Sequence, residues 1–366
     1  MAERRVRVRD LGIVIGIYPP GPHNAITDVA GVAVGHTTVH WGGVDLPPGQ
    51  GPARTGVTAI WPHRDDLVRH PVAIGCFALS GTGEMTARSE IEELGRLNTP
   101  LVLTNTMGVG IAYDAVCRYL VERDPGVGAE EGPVIPLVAE CDDSFLNDAR
   151  GFHVTREHVY AALDGATTGP VAEGCVGAGT GMHCFQFKGG VGSSSRVLPA
   201  AAGGWTVGAL VLTNFGRRHR LTVAGVPVGR YLPYSPEGNG LPPRDQGSGI
   251  VVVATDAPLD GRQLARLAKR AALGLGRTGS TGANGSGELL VAFSTTYRPG
   301  REPGVAAREV VESSAIDPLF EAAVDATEEA VLNALCTATT TVGRDGHVLH
   351  AIPLDRLRQI LAAHGR

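Results

Sequence analysis

The sequence predicts an α+β fold in which sheet packs on sheet and helices lie outside. Two observations predict it. The first half is a series of strand-like apolar runs with few helices between them, and the second half runs strand, helix, strand, helix. A third disfavours the main rival: helices do not alternate regularly with strands, so a doubly wound parallel sheet fits less well.

The elements follow in order. Residues 24–38, NAITDVAGVAVGHTT, alternate apolar and polar around Gly31 and Gly35 and predict a turn feeding a strand. TGVTAIW (55–61) and VAIGCFAL (72–79) predict strands, the second nearly all apolar and so buried. Ser89 to Leu94 predicts a short helix stopped by Gly95, and PLVLTN (100–105) a buried strand. Ile111, Ala115, Val116 and Leu120 share one face of a helix spanning 110–122. A polar loop at 124–132 precedes a strand at 134–140, VIPLVAE, and a short helix follows at 153–164. The stretch 174–197 is rich in glycine and serine, and WTVGALVLTN (205–214) is a strong strand ending at Asn214. A Pro- and Gly-rich connection at 229–247 reads as an exposed loop. It gives way to the most strand-like run of the chain at 250–254. A helix at 258–275, a strand at 288–294 and a helix at 317–337 follow, the last with apolar residues from Phe320 to Leu335 at helical spacing. A final helix covers 353–363, with proline at its first position.

Composition excludes several classes. Of 366 residues, 43% are hydrophobic and 19% charged, the balance of a globular protein with a sizeable core. The 51 glycines are about twice the ordinary share, which points to turns and close backbone approaches. A net charge of −5 with mixed signs offers no basic stripe, so nucleic acid is not an expected partner. No apolar run has the length of a signal-peptide core or a membrane span, and the chain reads as cytoplasmic. Six scattered cysteines form no C-x-x-C pair and read as free thiols acting as small hydrophobes. The histidines form no H-E-x-x-H, and no metal or cofactor is expected.

Chemistry concentrates at DQGSGIVVVATD. Gly247 and Ser248 stand between the polar loop and the apolar strand, where self-cleavage is feasible. The Ser248 hydroxyl attacks the Gly247 carbonyl, which no Cβ hinders, and water opens the ester. Cleavage leaves an α-amine of pKa about 7.7–8.0, able to take the hydroxyl proton of its own residue. In GRTGSTGANGSGE (276–288), Ser286 and Glu288 lie two apart and share one side of an extended chain. Taken alone, that segment reads as a solvated turn. Glu140 and Asn214 each end an apolar run, where a strand end presents a carboxylate or an amide. GAGTG and GGVG lack the spacing of phosphate-binding loops, and no G-x-S-x-G elbow is complete.

Together these segments resemble the L-aminopeptidase/D-esterase family, the DmpA-type β-aminopeptidases. NAITDVAGVAVGHTT, GTGEMTA, LVLTNTMGVG, GAGTGMHCFQFKGGVGSSSRV, GSGIVVVATDAPL, GSGELLVAFST and GRDGHVLHAIPLDRLRQIL carry the likeness in order over nearly the whole chain. The resemblance implies a single αββα domain, a four-layer sandwich like that of N-terminal-nucleophile hydrolases but differently connected. It implies a precursor cut into an α chain, 1–247, and a β chain, 248–366. Ser248 is then the nucleophile, Asn214 the oxyanion donor, Ser286 and Glu288 the neighbours of the new amine, and Glu140 the acceptor of the substrate's amino group. Substrates are short peptides, amides or esters, and processed units form tetramers or larger rings. In DDSFLND this chain has Phe145 where the family often carries a tyrosine, so a phenol donor is absent. Other readings are a hydrolase of non-peptide amides such as nylon oligomers or pantetheine-like compounds, a distant acetyltransferase, and an uncleaved binding protein. Serine rather than threonine at 248 favours the aminopeptidase.

Overall fold

The computed structural model describes residues 4–232, 246–299, 305 and 307–366. In chain order the elements are β1 (Ala33–Trp41), β2 (Ala53–Trp61), β3 (Val72–Ala78), α1 (Arg88–Leu94), β4 (Arg96–Leu97), β5 (Leu101–Asn105), α2 (Val109–Arg123), β6 (Leu137–Cys141) and α3 (Arg156–Asp164). A two-residue hairpin, β7 (His183–Cys184) and β8 (Phe187–Lys188), leads to β9 (Val191–Val197), β10 (Thr206–Asn214) and β11 (Gln246–Thr255). Then come α4 (Gly261–Thr278), β12 (Gly285–Ser294), α5 (Asp317–Thr337), the short pair β13 (Thr341–Val342) and β14 (Val348–Leu349), and α6 (Leu354–Ala363).

Among the described residues the strands assemble into two large sheets and two small hairpins. One large sheet has the order β1-β2-β5-β6, and the other β4-β3-β12-β11-β10-β9. Helices α2 and α3 cover the first, and α4 and α5 cover the second. The result is α, β, β, α, the layering the sequence predicts. Period-two alternation divides the six-stranded sheet between two cores. Ile250, Val252, Leu289 and Val291 join Val57, Ala59 and Val102 between the sheets. Val251, Val253, Leu290 and Ala292 pack with Leu264 and Leu267 under α4 and α5. Helix α4 starts at a reciprocal cap, Asp260 accepting from the Gln263 N–H at 2.7 Å and Gln263 from the Asp260 N–H at 3.0 Å. It stops at Gly279, whose φ of +105° lies in the left-handed region.

Several expectations are corrected. The Gly/Ser-rich stretch, to which the sequence assigned no element, holds the edge strand β9, paired along its length with β10. The helix expected to end at 275 runs to Thr278. The solvated turn expected across 276–288 gives way at Gly285 to buried strand. Pro353 precedes α6 rather than opening it. Residues 233–245 of the connection expected at 229–247 lie outside the described residues. The six cysteines are free thiols; Cys141, Cys184 and Cys336 are buried and the others half-buried. No helix among the described residues is long and apolar enough to cross a membrane.

The N-terminal segment is fastened to α5 by charge. Glu329 is fully buried and accepts from Arg196 at 2.7 Å, Arg9 at 2.7 Å and Asn24 at 2.5 Å. Breaking a buried pair by removing one charge leaves the other uncompensated. Glu329→Gln should therefore lower unfolding stability by about 3–5 kcal/mol in guanidinium titration. A loss under about 1 kcal/mol would show that this network carries little.

Candidate active site

Strand register brings the candidate residues together. Antiparallel pairing of β10 with β11 sets Asn214 opposite Ser248. Parallel pairing of β11 with β12 sets Gly247 opposite Ser286 and Gly249 opposite Glu288. Alternation turns the Ser248 side chain toward the four-stranded sheet, as for Ile250, and Ser286 and Glu288 toward the other side. Two glycines are needed for this closeness. A Cβ on Gly247 would lie 2.8 Å from the Asn214 carbonyl oxygen and 3.3 Å from Ser286 Oγ. One on Gly287 would lie 2.3 Å from the Thr82 carbonyl oxygen.

The Asn214 amide is held in one orientation. Its Oδ1 accepts from the His183 N–H at 3.3 Å, and its Nδ2 donates to the Asp142 carbonyl at 2.8 Å and to Ser248 Oγ at 3.3 Å. The loop that offers the His183 N–H is itself fastened by Lys188. That buried ammonium donates to the carbonyls of Gly179 at 3.0 Å, Met182 at 2.8 Å and Gly189 at 2.8 Å. Burial pushes the Lys188 pKa below its ordinary value. Burial, with the Lys188 charge adding to it, also lowers His183 to about 4, so its ring is neutral near pH 7. The Cys141 thiol adjoins Ser248, and complete burial holds it protonated.

Two carboxyls complete the arrangement. Glu288 is 1% exposed and accepts from Ser286 Oγ at 2.5 Å, while its Oε2 has no partner among the described residues. Burial raises its pKa and the Ser286 hydroxyl partly offsets this. Glu140 is 4% exposed and accepts from the Glu84 N–H at 2.9 Å and from the Thr106 hydroxyl. Its pKa is also raised, by burial, with both donors opposing. Phe145 stacks on the His347 ring, centroids 4.5 Å apart and planes 7° apart, and its carbonyl accepts from His347 Nδ1 at 2.9 Å.

Gly247, Ser248, Asn214, Ser286, Glu288, Glu140 and Phe145 all line one cleft of about 1170 Å³. Sequence reading missed other residues of its wall: Thr106, Asp142, His183, Arg344 and His347. His183 falls inside the quoted run GAGTGMHCFQFKGG, but no spacing marks it. Among the described residues no cluster of three or more His, Cys, Asp or Glu is placed to hold a metal ion. The cleft thus offers a hydroxyl beside an oriented amide donor, flanked by two buried carboxyls. Such a set suits acyl transfer.

Residues 24–349 match the model of peptidase family S58. The chain is 46% identical over 375 residues to the β-peptidyl aminopeptidase BapA of Sphingosinicella microcystinivorans, covering 98% of this chain and 93% of that one. A crystal structure of a protein from Pyrococcus horikoshii superposes with a TM-score of 0.93 at 48% identity, over 99% of this chain and 100% of that chain. The L-aminopeptidase D-Ala-esterase/amidase of Ochrobactrum anthropi gives a TM-score of 0.89 at 43% identity, over 98% and 99% of the two chains. It is described as a prototype of the serine aminopeptidases and a variant of the Ntn hydrolase fold.

The Glu140 environment makes a checkable statement. The Thr106 hydroxyl and Glu84 N–H bond the ionised carboxylate, so losing one favours the protonated form. Thr106→Val should move the Glu140 titration to higher pH, measured by carboxyl NMR. An unmoved titration would show that the hydroxyl does not hold the charge.

Proposed function

The chain belongs to peptidase family S58 and is an aminopeptidase, and from that premise we propose that it activates itself by cutting Gly247–Ser248 and then uses Ser248 as an N-terminal nucleophile on short peptides, including β-aminoacyl peptides. The observation that carries this reading is the pairing of Ser248 Oγ with the fixed Asn214 amide at 3.3 Å, at a strand position where Gly247 faces Ser286.

In the unbroken chain the Ser248 nitrogen is a peptide N–H without a basic lone pair. Ser248 Oγ attacks the Gly247 carbonyl carbon, its proton passes to the Ser248 nitrogen as the C–N bond breaks, and an ester forms between Gly247 and Ser248 Oγ. Water hydrolyses the ester, leaving the Gly247 carboxylate and a free Ser248 amine. That amine emerges beside Ser286 and Glu288, whose oxygens accept hydrogen bonds from its ammonium form. With a pKa near the ordinary 7.7–8.0 it accepts the Oγ proton when Ser248 attacks a substrate carbonyl. Asn214 Nδ2 donates to the oxyanion, a donor worth about 2.7–4 kcal/mol in comparable sites. The proton passes to the leaving amine, and water releases the acyl group from Ser248. Glu140, buried at the cleft wall, receives the substrate's ammonium, which accounts for removal of terminal residues. The β-peptidyl activity of the Sphingosinicella relative supports β-aminoacyl substrates.

Denaturing electrophoresis tests the cut. Residues 1–247 and 248–366 should run as two bands of about 26 and 12 kDa from the 38.0 kDa chain. Ser248→Ala should remain one band and show no turnover of amino-acid p-nitroanilides. A native enzyme active as a single band would overturn the proposal.

The amine anchor is tested separately. Glu140→Gln should lower kcat/KM about tenfold or more for substrates with a free amine, since a hydrogen bond to a charged group is typically worth about 1.5–3 kcal/mol. N-capped substrates should change little. Equal loss on both would remove Glu140 from amine recognition.

A further inference from the structure

The cleft is polarised across Ser248. Sheet order fixes one direction. On the six-stranded sheet, β12 with Glu288 lies on one side of β11 and β10 with Asn214 on the other. The facing residues follow the same order. Glu140 stands over β12, since a Cβ on Gly83 would lie 3.2 Å from Glu140 Oε1 and 3.5 Å from Gly287 Cα. Two residues further on, the Asp142 carbonyl is bonded by Asn214 Nδ2, so the chain has crossed over β10. Beyond it come Phe145 and, packed on it, the loop carrying Arg344 and His347. The Arg344 N–H donates to the Leu146 carbonyl at 2.9 Å, and the Lys188 N–H to the His350 carbonyl at 2.8 Å. Buried carboxyls therefore lie on the β12 side of the nucleophile, and Arg344 and His347 on the β10 side, in a cleft that Arg217 and Arg220 also line.

The basic side has defined geometry. His347 gives its Nδ1–H to the Phe145 carbonyl, so Nε2 is the ring's remaining polar atom, and the parallel stack on Phe145 fixes the ring plane. Arg344 lines the same cleft and is half-exposed. Its ion-pair contact, to the exposed Asp345, is long at 3.7 Å, and its Nε has no acceptor among the described residues. A guanidinium so placed matches a carboxylate, which it binds through directed N–H donors.

We propose that Phe145, His347 and Arg344 form a leaving-residue subsite that takes the free C-terminal carboxylate of a dipeptide, making this aminopeptidase selective for short peptides with both ends free. The inference rests on the reading of Ser248 as nucleophile and Glu140 as amine anchor. Glu140 holds the ammonium on one side of Ser248, and Arg344 holds the carboxylate on the other. The reacting carbonyl is thereby centred on Oγ. Phe145, which lacks a phenol, contributes the flat face that orients His347. In the two loops that form this side, Asp142 and Asp345 are exposed and Asp143 is buried.

The test uses matched pairs: β-alanyl-alanine and L-alanyl-alanine, each as free acid and as C-terminal carboxamide. The native enzyme should favour the acid by about tenfold or more in kcat/KM, the ordinary scale for a charge-assisted hydrogen bond. Arg344→Gln should bring the acid-to-amide ratio close to one, and Arg344→Glu should invert it. Misfolding lowers both members of a pair and leaves the ratio intact, so the ratio reads the subsite alone. A native ratio near one, or a ratio unmoved in Arg344→Gln, overturns the inference. If the native enzyme cleaves none of the four yet turns over p-nitroanilides, the subsite is wrong and the Ser248 chemistry stands. If p-nitroanilides fail as well, both are wrong.

Discussion

The relative register of β10, β11 and β12 is the constraint on which the site depends. No single loop builds it; three adjacent strand ends do. Because side chains alternate with period two, a one-residue slip of β11 would turn Ser248 away from Asn214 and set a glycine in its place. The slip is opposed at the far end of the same strands. Thr255 Oγ1 donates to the Thr206 carbonyl at 2.8 Å, and the Thr206 N–H donates to Asp256 at 2.7 Å. The apolar alternation between those ends opposes it too, since Val251 and Val253 are fitted under α4 and Ile250 and Val252 between the sheets. Packing well away from the cleft thus sets a distance of a few ångströms within it.

Electrostatics adds a second layer of positioning. In a buried site, a dipole that is already oriented needs no reorganisation when charge develops. The Asn214 amide meets that condition because both of its ends are occupied. The loop behind it is held by Lys188, a buried cation satisfied by carbonyls rather than by a carboxylate. The cost of burying charge is visible across the site: Glu140, Glu288, Asp143 and Lys188 all shift toward their neutral forms. Asp143 rises to about 7. Partners oppose the shift at both Glu140 and Glu288, and neither set of partners saturates the carboxylate. Each carboxyl therefore retains capacity for a further donor, which the proposed reading assigns to a substrate's ammonium at Glu140 and to the newly freed terminus at Glu288.

Much of this was legible in the residues, and the exceptions share a cause. Periodicity located α2, α5 and β10 because each buries apolar residues at its own period, whatever polar contacts lie beside them. It missed β9, VGSSSRV, because that strand is buried through hydroxyls. Ser193 donates to the Ala209 carbonyl at 2.7 Å and Ser194 to the Ala326 carbonyl at 2.6 Å. Those acceptors are 16 and 132 residues away in the chain, so no local window contains them. The segment GRTGSTGANGSGE is a turn only in its first part: Gly279 ends α4 in the left-handed region, whereas Gly287 lies within β12 and allows the close approach of the Thr82 carbonyl. Ser248, Glu140 and Asn214 could be picked out as strand ends. His183 contributes through its backbone N–H, and Thr106 through one hydroxyl, which no residue pattern encodes.

On the reading proposed for Ser248, self-processing and catalysis pose one physical problem rather than two. Both need an attacking Ser248 Oγ and a donor for the oxyanion, and the Asn214 amide is aimed at Oγ before any cut. The first attack lacks only the amine, because the Ser248 nitrogen is still an amide. It is unimolecular, with nucleophile and carbonyl on adjacent residues, so proximity compensates for the missing base. The second attack is on a diffusing substrate and has no such advantage. There the freed amine supplies the base, and the two ends of the cleft supply the positioning.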